Sequence, residues 1–594
     1  MGFTEPNRPD VIPAEFMKLP LMERMHILVT FWADNGFGSP RMVHTIYILK
    51  LAFFYALGGV VVAAATSGLP AFWHWQEWWN QPIVYQKLVV WTILLETIGV
   101  AGSWGPLAGK VKPMTGGIRF WARPGTIRLR PWKWVPGTGG TRRRPVDIAL
   151  YLALLASLVV ALVMHGVPSE SLLKALPDNT SGIIQPKLLI TPIILLILNG
   201  LRDKIIFLAA RGEQYLPALF FFATLPFVDM IVALKMLILV VWVGAGFSKF
   251  GKHFSNVIPP MVSNAPLIVF KRLKRANYRN FPYDMRPSRG ANFMAHFLGT
   301  TVEIVAPLVL FFSASRTVTL VAVVVMIGFH LFIISTFPLA VPLEWNVLFA
   351  YSTVFLFLAF PNWDGYTMTG MSSTWLAVPI AVALLVYPVL GNLRPDKVSF
   401  LPSMRQYAGN WASALWTFAP GAEAKLNEVT RSAKNQVDQF VEFGYEPEWA
   451  EVTMQQTISW RTMHSQGRGL FSVLLKNLPD IDTRTVREAE FTCNSLIGFN
   501  FGDGHLHDAS LVEAVQEEAQ FAPGELVVVW VESQPVHKKT QQYKVIDAAL
   551  GVVEEGEWTV ADAVREQPWL PNGPIPLRVQ WSRWARQHPE RHAA

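Results

Sequence analysis

The chain has 594 residues, of which 51% are hydrophobic and 16% charged, and its mean hydropathy is +0.29. This composition excludes a disordered, fibrous or ordinary soluble protein and indicates a polytopic membrane protein. Residues 1–391 carry 32 basic and 17 acidic residues, whereas residues 392–594 carry 19 basic and 26 acidic ones. The basic excess therefore belongs to the membrane half of the chain. There it reflects the orientation of the loops across the membrane and their contact with anionic lipid headgroups, and it excludes nucleic acid as a partner.

The N-terminal segment, residues 1–42, shows no removable signal peptide and is predicted to be cytoplasmic. Its mixture of apolar and charged residues from Pro13 to Trp32 predicts a helix in the membrane interface, interrupted at Pro20.

The transmembrane domain is predicted at 43–391. Apolar runs long enough to cross about 30 Å of hydrocarbon predict eight spans, near 43–65, 83–102, 147–166, 230–248, 293–313, 317–336, 343–360 and 373–391. Two shorter runs, 188–201 and 215–228, predict either two further spans or a re-entrant pair. We therefore expect an all-α polytopic domain of eight to ten helices.

Two basic loops predict the topology. Residues 103–146 contain ten lysines and arginines and no acidic residue, and residues 250–292 are also rich in basic side chains. The positive-inside rule places both loops in the cytoplasm, and an even number of spans between them is consistent with this. The expected location is the inner (plasma) membrane, with both termini cytoplasmic.

The C-terminal region, residues 392–594, is predicted to be a soluble α+β domain. Residues 403–419 predict a helix on the membrane surface, and 422–443 an amphipathic helix. Leu526–Val531 and Tyr543–Val553 have strand composition. The only cysteine, Cys493, excludes an intrachain disulfide.

Ionisable residues within apolar spans are the candidate functional groups, because each costs at least about 2.5–3.5 kcal/mol at mid-membrane. Lys249, Glu303 and His330 are the catalytic candidates, and Glu303 and His330 have matching depths that predict a coupled pair. For Lys50 and Lys249, snorkelling to the headgroups is the alternative. The substrate-binding candidates are Glu96, Asp229, Lys235 and His296.

A family resemblance appears at the same residues. The run WVGAGFSKF (Trp242–Phe250), then GTTVEIVAP (Gly299–Pro307) and GFH (Gly328–His330), resembles the HTTM superfamily of vitamin K-dependent γ-carboxylase-like membrane domains, over about residues 230–360. The resemblance implies that Lys249 is the base that deprotonates a reduced quinone. As a whole, the chain looks like an uncharacterised actinobacterial transmembrane family, a resemblance that implies no activity.

The motif DGHLHD in the C-terminal region has two interpretations. Asp503, His505 and His507 form a possible metal-ligand set, but Asp-Gly is also a turn signal, and the turn is favoured. No metal is predicted elsewhere, and no cofactor is identified.

The sequence thus predicts a membrane protein that binds or transforms a hydrophobic substrate, a quinone or a lipid, at an intramembrane Lys/Glu/His site. The alternative is a non-enzymatic lipid-handling transporter component, or a membrane scaffold whose acidic tail docks protein partners. Membrane lipids are the partners expected under either hypothesis, and the patterns leave open whether the protein is an enzyme.

Overall fold

The computed structural model describes residues 2–102, 104–105, 107, 109–336, 343–394, 397, 412–499, 509–535 and 537–584. All structural statements below concern these residues.

The N-terminal segment forms two helices, α1 (Pro13–Phe16) and α2 (Leu21–Asn35), separated at Pro20 as predicted. Proline at this point lacks the N–H that a continuous helix needs. Met25, Leu28 and Trp32 on α2 are fully buried against protein. The apolar face of α2 therefore packs within the protein, whereas the sequence predicted a helix lying in the membrane interface.

Among the described residues, seven helices are long and apolar enough to cross a membrane. They correspond to seven of the eight runs predicted as spans, and exposed apolar side chains on several of them, such as Phe53 and Val324, face outward. Five of the spans are α3 (Arg41–Ala65), α7 (Pro145–Val163), α12 (Phe227–Ser248), α15 (Arg289–Phe312) and α16 (Arg316–Thr336). The other two spans are Glu344–Asp364, which contains helix α17 (Glu344–Val354), and Thr374–Leu393, which contains helix α18 (Ala377–Leu393).

Three shorter helices complete the bundle. They are α5 (Pro82–Thr97, 16 residues), α9 (Pro186–Arg202, 17 residues) and α11 (Gly212–Thr224, 13 residues). The predicted span 83–102 is thus shorter than expected, and α5 is buried along nearly its whole length by neighbouring helices. At 1.5 Å per residue α9 and α11 measure only about 25 Å and about 20 Å.

The shorter helices α9 and α11 nevertheless connect opposite faces of the bundle. Arg202, at the end of α9, donates to Asp147 at the start of α7 (2.7 Å). Phe227, the first residue of α12, donates its backbone N–H to Ser171 (3.1 Å) in the short helical segment beyond the other end of α7. The two helices therefore run in opposite directions between the two ends of the bundle, and neither is among the seven helices that are long and apolar enough to cross a membrane.

Small elements fill the connections between the long helices. They are α4 (Trp75–Trp78), α6 (Ile118–Trp121), α8 (Glu170–Ala175), α10 (Lys204–Ala209), α13 (Ile258–Asn264), α14 (Lys271–Arg275), and the antiparallel strands β1 (Tyr278–Asn280) and β2 (Asp284–Pro287).

The C-terminal region is built on a six-stranded antiparallel sheet of order β4-β3-β5-β6-β7-β8. Its strands are β3 (Ser413–Phe418), β4 (Thr485–Glu488), β5 (Leu526–Val531), β6 (Thr540–Asp547), β7 (Gly551–Thr559) and β8 (Arg578–Ser582). Its helices are α19 (Gln436–Glu442), α20 (Pro447–Met463), α21 (Ser465–Asn477), α22 (Ala489–Ile497), α23 (Ser510–Ala519) and α24 (Val560–Arg565).

Two predictions for this region are confirmed and two are wrong. The strand at Leu526–Val531 is observed, and the run from Tyr543 forms parts of two strands, β6 and β7. The predicted surface helix at 403–419 contains strand β3 instead, and its residues before 412 lie outside the described part. The predicted helix at 422–443 is split into a 3₁₀ helix, Ala422–Glu428, and α19.

The C-terminal region lies against α2 and both basic loops. Trp121 donates to the carbonyl of Ile497 (2.8 Å), and Met285 donates to the side chain of Gln567 (3.1 Å). Both loops therefore share one side of the membrane with the C-terminal region, hereafter the tail side. Ion pairs such as Arg142–Glu518 (3.1 Å) cross this interface, so acidic residues of the tail are partnered by the chain's own basic loops.

Candidate functional site

A buried ion pair joins two membrane helices near the tail side. Lys249 follows the last residue of α12, and its ammonium contacts the carboxylate of Glu303 on α15. Both side chains are 5% exposed. The helices can approach closely here because α12 carries Gly246, where a Cβ would lie 2.8 Å from Ile304 and 3.1 Å from the Cβ of Glu303.

Because both charges are buried, each offsets the cost of burying the other. An isolated charge is expensive in a water-free interior, whereas a well-paired one is tolerated. The snorkelling alternative for Lys249 is therefore wrong, since its ammonium is directed at Glu303 and not at the headgroups.

An apolar cavity of about 400 Å³ lies beside Lys249. Apart from the lysine, its walls are aromatic and aliphatic groups and one glycine, and the ammonium lies 5.4 Å from the ring centroid of Phe254 and 5.8 Å from that of Phe329. The walls come from the segment after α12, from α15 and from α16: Phe254, Ile258, Met261, Met294, Leu298, Gly299, Val302, Val325, Phe329, Phe332 and Ile333.

The cavity borders the outer surface of the bundle. Leu298 is 47% exposed, Val325 39% and Phe332 38%, although all three line the cavity. One wall contains a π-helical stretch of α15, Met294–Gly299, in which the helix is locally wider. Such single-turn π-helical insertions are frequent at functional sites. The arrangement is an apolar pocket with one charged end.

His330 lies on α16, next to the cavity residue Phe329, but it does not pair with Glu303. Its Nε2 accepts a hydrogen bond from Trp242 Nε1 (3.2 Å), so its proton is assigned to Nδ1, which faces Asn346 Oδ1 at 3.1 Å. Both ring nitrogens are thus occupied. The predicted Glu303–His330 pair is therefore wrong, because Lys249 takes the carboxylate and a tryptophan and an asparagine take the imidazole.

His296 and the segment after Lys249 link the cavity to the C-terminal region. His296 Nε2 contacts Ser255 Oγ at 2.8 Å, and His253 Nδ1 contacts Ser465 Oγ, at the start of α21, at 2.6 Å. Burial, together with the nearby Arg468 guanidinium, lowers the pKa of His253 to about 4. His253 is therefore neutral at pH 7 and ties the membrane bundle to the tail through a neutral hydrogen bond.

Glu96 belongs to a second buried cluster. Its Oε1 lies 3.8 Å from Arg211 Nε. Nearby, Lys50 pairs with Glu344 (2.8 Å) and donates to the carbonyl of Gly102 (2.7 Å). Lys50 is thus paired inside the bundle and does not snorkel.

Sequence reasoning did not single out Glu344 and Arg211. Glu344 is an acidic residue at the first position of an apolar helix, and Arg211 lies in the polar stretch between two apolar runs. The signal in the sequence that could have identified them is the presence of acidic and basic residues at matching depths in the membrane.

Asp229 and Lys235 lie towards the opposite end of α12 from Lys249. Lys235 Nζ donates to Asn362 Oδ1 and to the carbonyl of Tyr366, both at 2.8 Å. Asp229 accepts from the backbone and hydroxyl of Ser372 (2.7 and 2.5 Å). Both side chains therefore hold the loop before α18. The four predicted substrate-binding residues thus lie in three separate places, with Glu96 in the cluster with Arg211, Asp229 and Lys235 at this loop, and His296 beside Ser255.

The DGHLHD motif, with Asp503, His505 and His507, lies outside the described residues. Within the described ranges, no group of three or more His, Cys, Asp or Glu side chains has an arrangement that could hold a metal ion.

The seven spans, the buried ion pairs between them and the sheet-containing C-terminal region define a multi-pass membrane protein with a soluble α+β part. More specifically, the chain belongs to the family described as "transmembrane protein of unknown function (DUF3556)", whose model matches residues 1–580. No curated protein and no solved structure matches the chain.

Proposed function

We propose that the protein binds a hydrophobic molecule, a quinone or a lipid, in the cavity beside Lys249. The observation that carries this proposal is the combination of an apolar pocket of about 400 Å³, exposed wall residues on the lipid-facing surface and one ion pair at its end. Ligand pockets are typically apolar with a few placed polar groups. The tail of the ligand would occupy the apolar walls and its polar head would face Lys249.

The chemistry available at the charged end is proton exchange. Transfer of a proton from Lys249 to Glu303 leaves a neutral amine, which can accept a proton from a hydroxyl group of a bound quinol. This role agrees with the HTTM-like resemblance, which implies a base at Lys249. His330 is a positioning residue in this proposal, since it acts on α12 through Trp242.

The first experiment identifies the bound molecule. Lipids extracted from the purified protein are measured by mass spectrometry, for the wild type and for Val302→Phe, which fills the cavity. Val324→Phe is the matched control, because Val324 is 69% exposed on α16 and does not line the cavity. One quinone or one specific lipid per chain, lost only in Val302→Phe, supports the proposal. Equal retention by all three proteins contradicts it.

The second experiment separates an enzyme from a lipid-handling component. Lys249→Arg preserves the positive charge, but arginine does not lose its proton near neutral pH. The absorbance of the deprotonated quinol, which should appear on adding a reduced short-chain quinone to the wild type, should be lost in Lys249→Arg while quinone binding is retained. Retention of mixed bulk phospholipid by the wild type would instead favour the non-enzymatic lipid-handling component or scaffold.

We also propose that residues 1–42 and 392–594 lie in the cytoplasm and that 43–391 is the domain within the inner (plasma) membrane. The basic loops on the tail side support this orientation. Two cysteine variants test it with an impermeant maleimide: one at exposed Asn572, on the tail side, and one at exposed Lys174 in α8, beyond the other end of α7. Intact cells should label only Lys174→Cys, since Cys493 is fully buried. Labelling of Asn572→Cys alone would reverse the orientation.

A further inference from the structure

A second cavity, of about 540 Å³, lies at the tail-side boundary of the membrane. One edge is Arg41, the first residue of span α3, and the other is the segment 266–275, PLIVFKRLKR. This cavity is separate from the one beside Lys249, and no residue lines both.

The segment 266–275 has the composition and exposure of a membrane-surface element. Leu267 is 68% exposed, Val269 60%, Phe270 68% and Leu273 58%, and basic residues follow or alternate with them. Four large apolar side chains exposed within seven residues are unfavourable in water. The same pattern is typical of segments that place apolar groups at the headgroup–acyl boundary and basic groups above it.

The cavity behind this segment has an excess of positive charge. Four basic residues line it, Arg8, Arg41, Lys271 and Lys274, against two carboxylates, Asp10 and Asp34.

One of these carboxylates is largely compensated from outside the cavity. Asp34 accepts two hydrogen bonds of 2.7 Å from Arg275, whereas Lys271 is 3.5 Å away. Lys274 uses one of its three N–H donors, on the carbonyl of Ser263 at 2.6 Å. The Arg41 side chain makes no hydrogen bond or ion pair with any residue that the structure describes.

From this arrangement we infer that the cavity binds the phosphate group of an acidic membrane phospholipid. Arg41, Lys271 and Lys274 supply donors for the phosphate oxygens. The exposed side chains of Leu267, Val269 and Phe270 supply an apolar path for the acyl chains. The site anchors the loop 250–292 to the tail-side leaflet and is independent of the ligand proposed beside Lys249.

Native mass spectrometry of the purified protein in detergent tests the inference. Protein is titrated with phosphatidylglycerol, with phosphatidylcholine and with inorganic phosphate. A basic side chain near an anionic surface contributes about fivefold in affinity. The wild type should retain one phosphatidylglycerol at least about tenfold more tightly than phosphatidylcholine, and the double variant Arg41→Gln/Lys271→Gln should lose about 25-fold of that affinity.

Two control proteins separate charge from folding. Arg41→Lys/Lys271→Arg keeps both charges and should keep the preference, and Lys174→Gln removes an exposed lysine on the opposite side without effect. Equal phosphatidylglycerol affinity in the wild type and the Gln double variant would overturn the inference. Displacement of the lipid by millimolar inorganic phosphate would show that the site takes a free anion, and would also overturn it.

Discussion

Removing either partner of the Lys249–Glu303 ion pair should destabilise the bundle at least as much as removing both. Each side chain is 5% exposed, so Glu303→Gln leaves an ammonium beside an apolar cavity and Lys249→Met leaves a carboxylate between packed helices. Breaking a buried pair from one side costs about 3–5 kcal/mol, whereas replacing both partners is often neutral. We expect each single variant to lose about 3 kcal/mol and the double variant no more, a coupling of at least about 3 kcal/mol.

Unfolding in mixed detergent micelles with increasing dodecyl sulfate, followed by tryptophan fluorescence, measures the four free energies of unfolding. The control cycle combines Glu303→Gln with Lys235→Met. Lys235 lies fourteen residues before Lys249, about 21 Å along the helix, and donates to neutral groups. These two changes should add within about 0.5 kcal/mol. Additivity of Lys249→Met and Glu303→Gln as well would refute the argument that the two charges are held by each other.

Two further predictions concern the tail interface. Burial lowers the pKa of His253 to about 4 from its ordinary 6.5, so its contribution is complete above pH 6.5 and is lost as pH falls towards 4. The wild type should lose about 2 kcal/mol more than His253→Gln between pH 7 and pH 5 in thermal unfolding, and parallel losses would contradict this. Gly498→Ala should make the C-terminal region more sensitive to limited proteolysis, because its new Cβ would clash with Gly116. Gly524→Ala, which has a similar positive φ but open space around it, should remain resistant, and equal sensitivity of the two would refute the clash.

Much of the membrane architecture follows from hydropathy alone, because a backbone in hydrocarbon must satisfy its hydrogen bonds internally. That constraint makes long apolar runs helical, as in α3 and α12. It says less about α5, which is enclosed by protein and need not match the bilayer thickness. In the C-terminal region, β5 was predictable from LVVVWV, whereas SALWTF in β3 is a short apolar run whose periodicity does not distinguish helix from strand.

The sequence predicts which residues belong to the candidate site, but not which of them contact one another. The sequence identifies Lys249, Glu303 and His330 as ionisable groups in apolar spans. Their partners depend on the rotation of each helix, which changes by about 100° per residue. In the structure, the rotation of α15 turns Glu303 towards Lys249, and the rotation of α16 turns His330 towards Trp242. Glu344 does not stand out in the sequence, because it lies at the boundary of a predicted span, where a charged residue is expected.

The hydrogen bond from the backbone of Leu21 to Asp482 joins residues 461 positions apart. The ribosome therefore completes the seven spans before it makes the C-terminal residues that pack around Met25 and Leu28. At about 5–20 residues per second, synthesis of residues 412–584 takes about 10–35 s. During that interval the C-terminal residues that bury Met25 and Leu28 do not yet exist. A nascent chain that stalls before residue 412 would therefore carry an inserted bundle with an exposed apolar face on its N-terminal helix. The last third of translation is therefore the interval in which this face of α2 lacks its C-terminal partners.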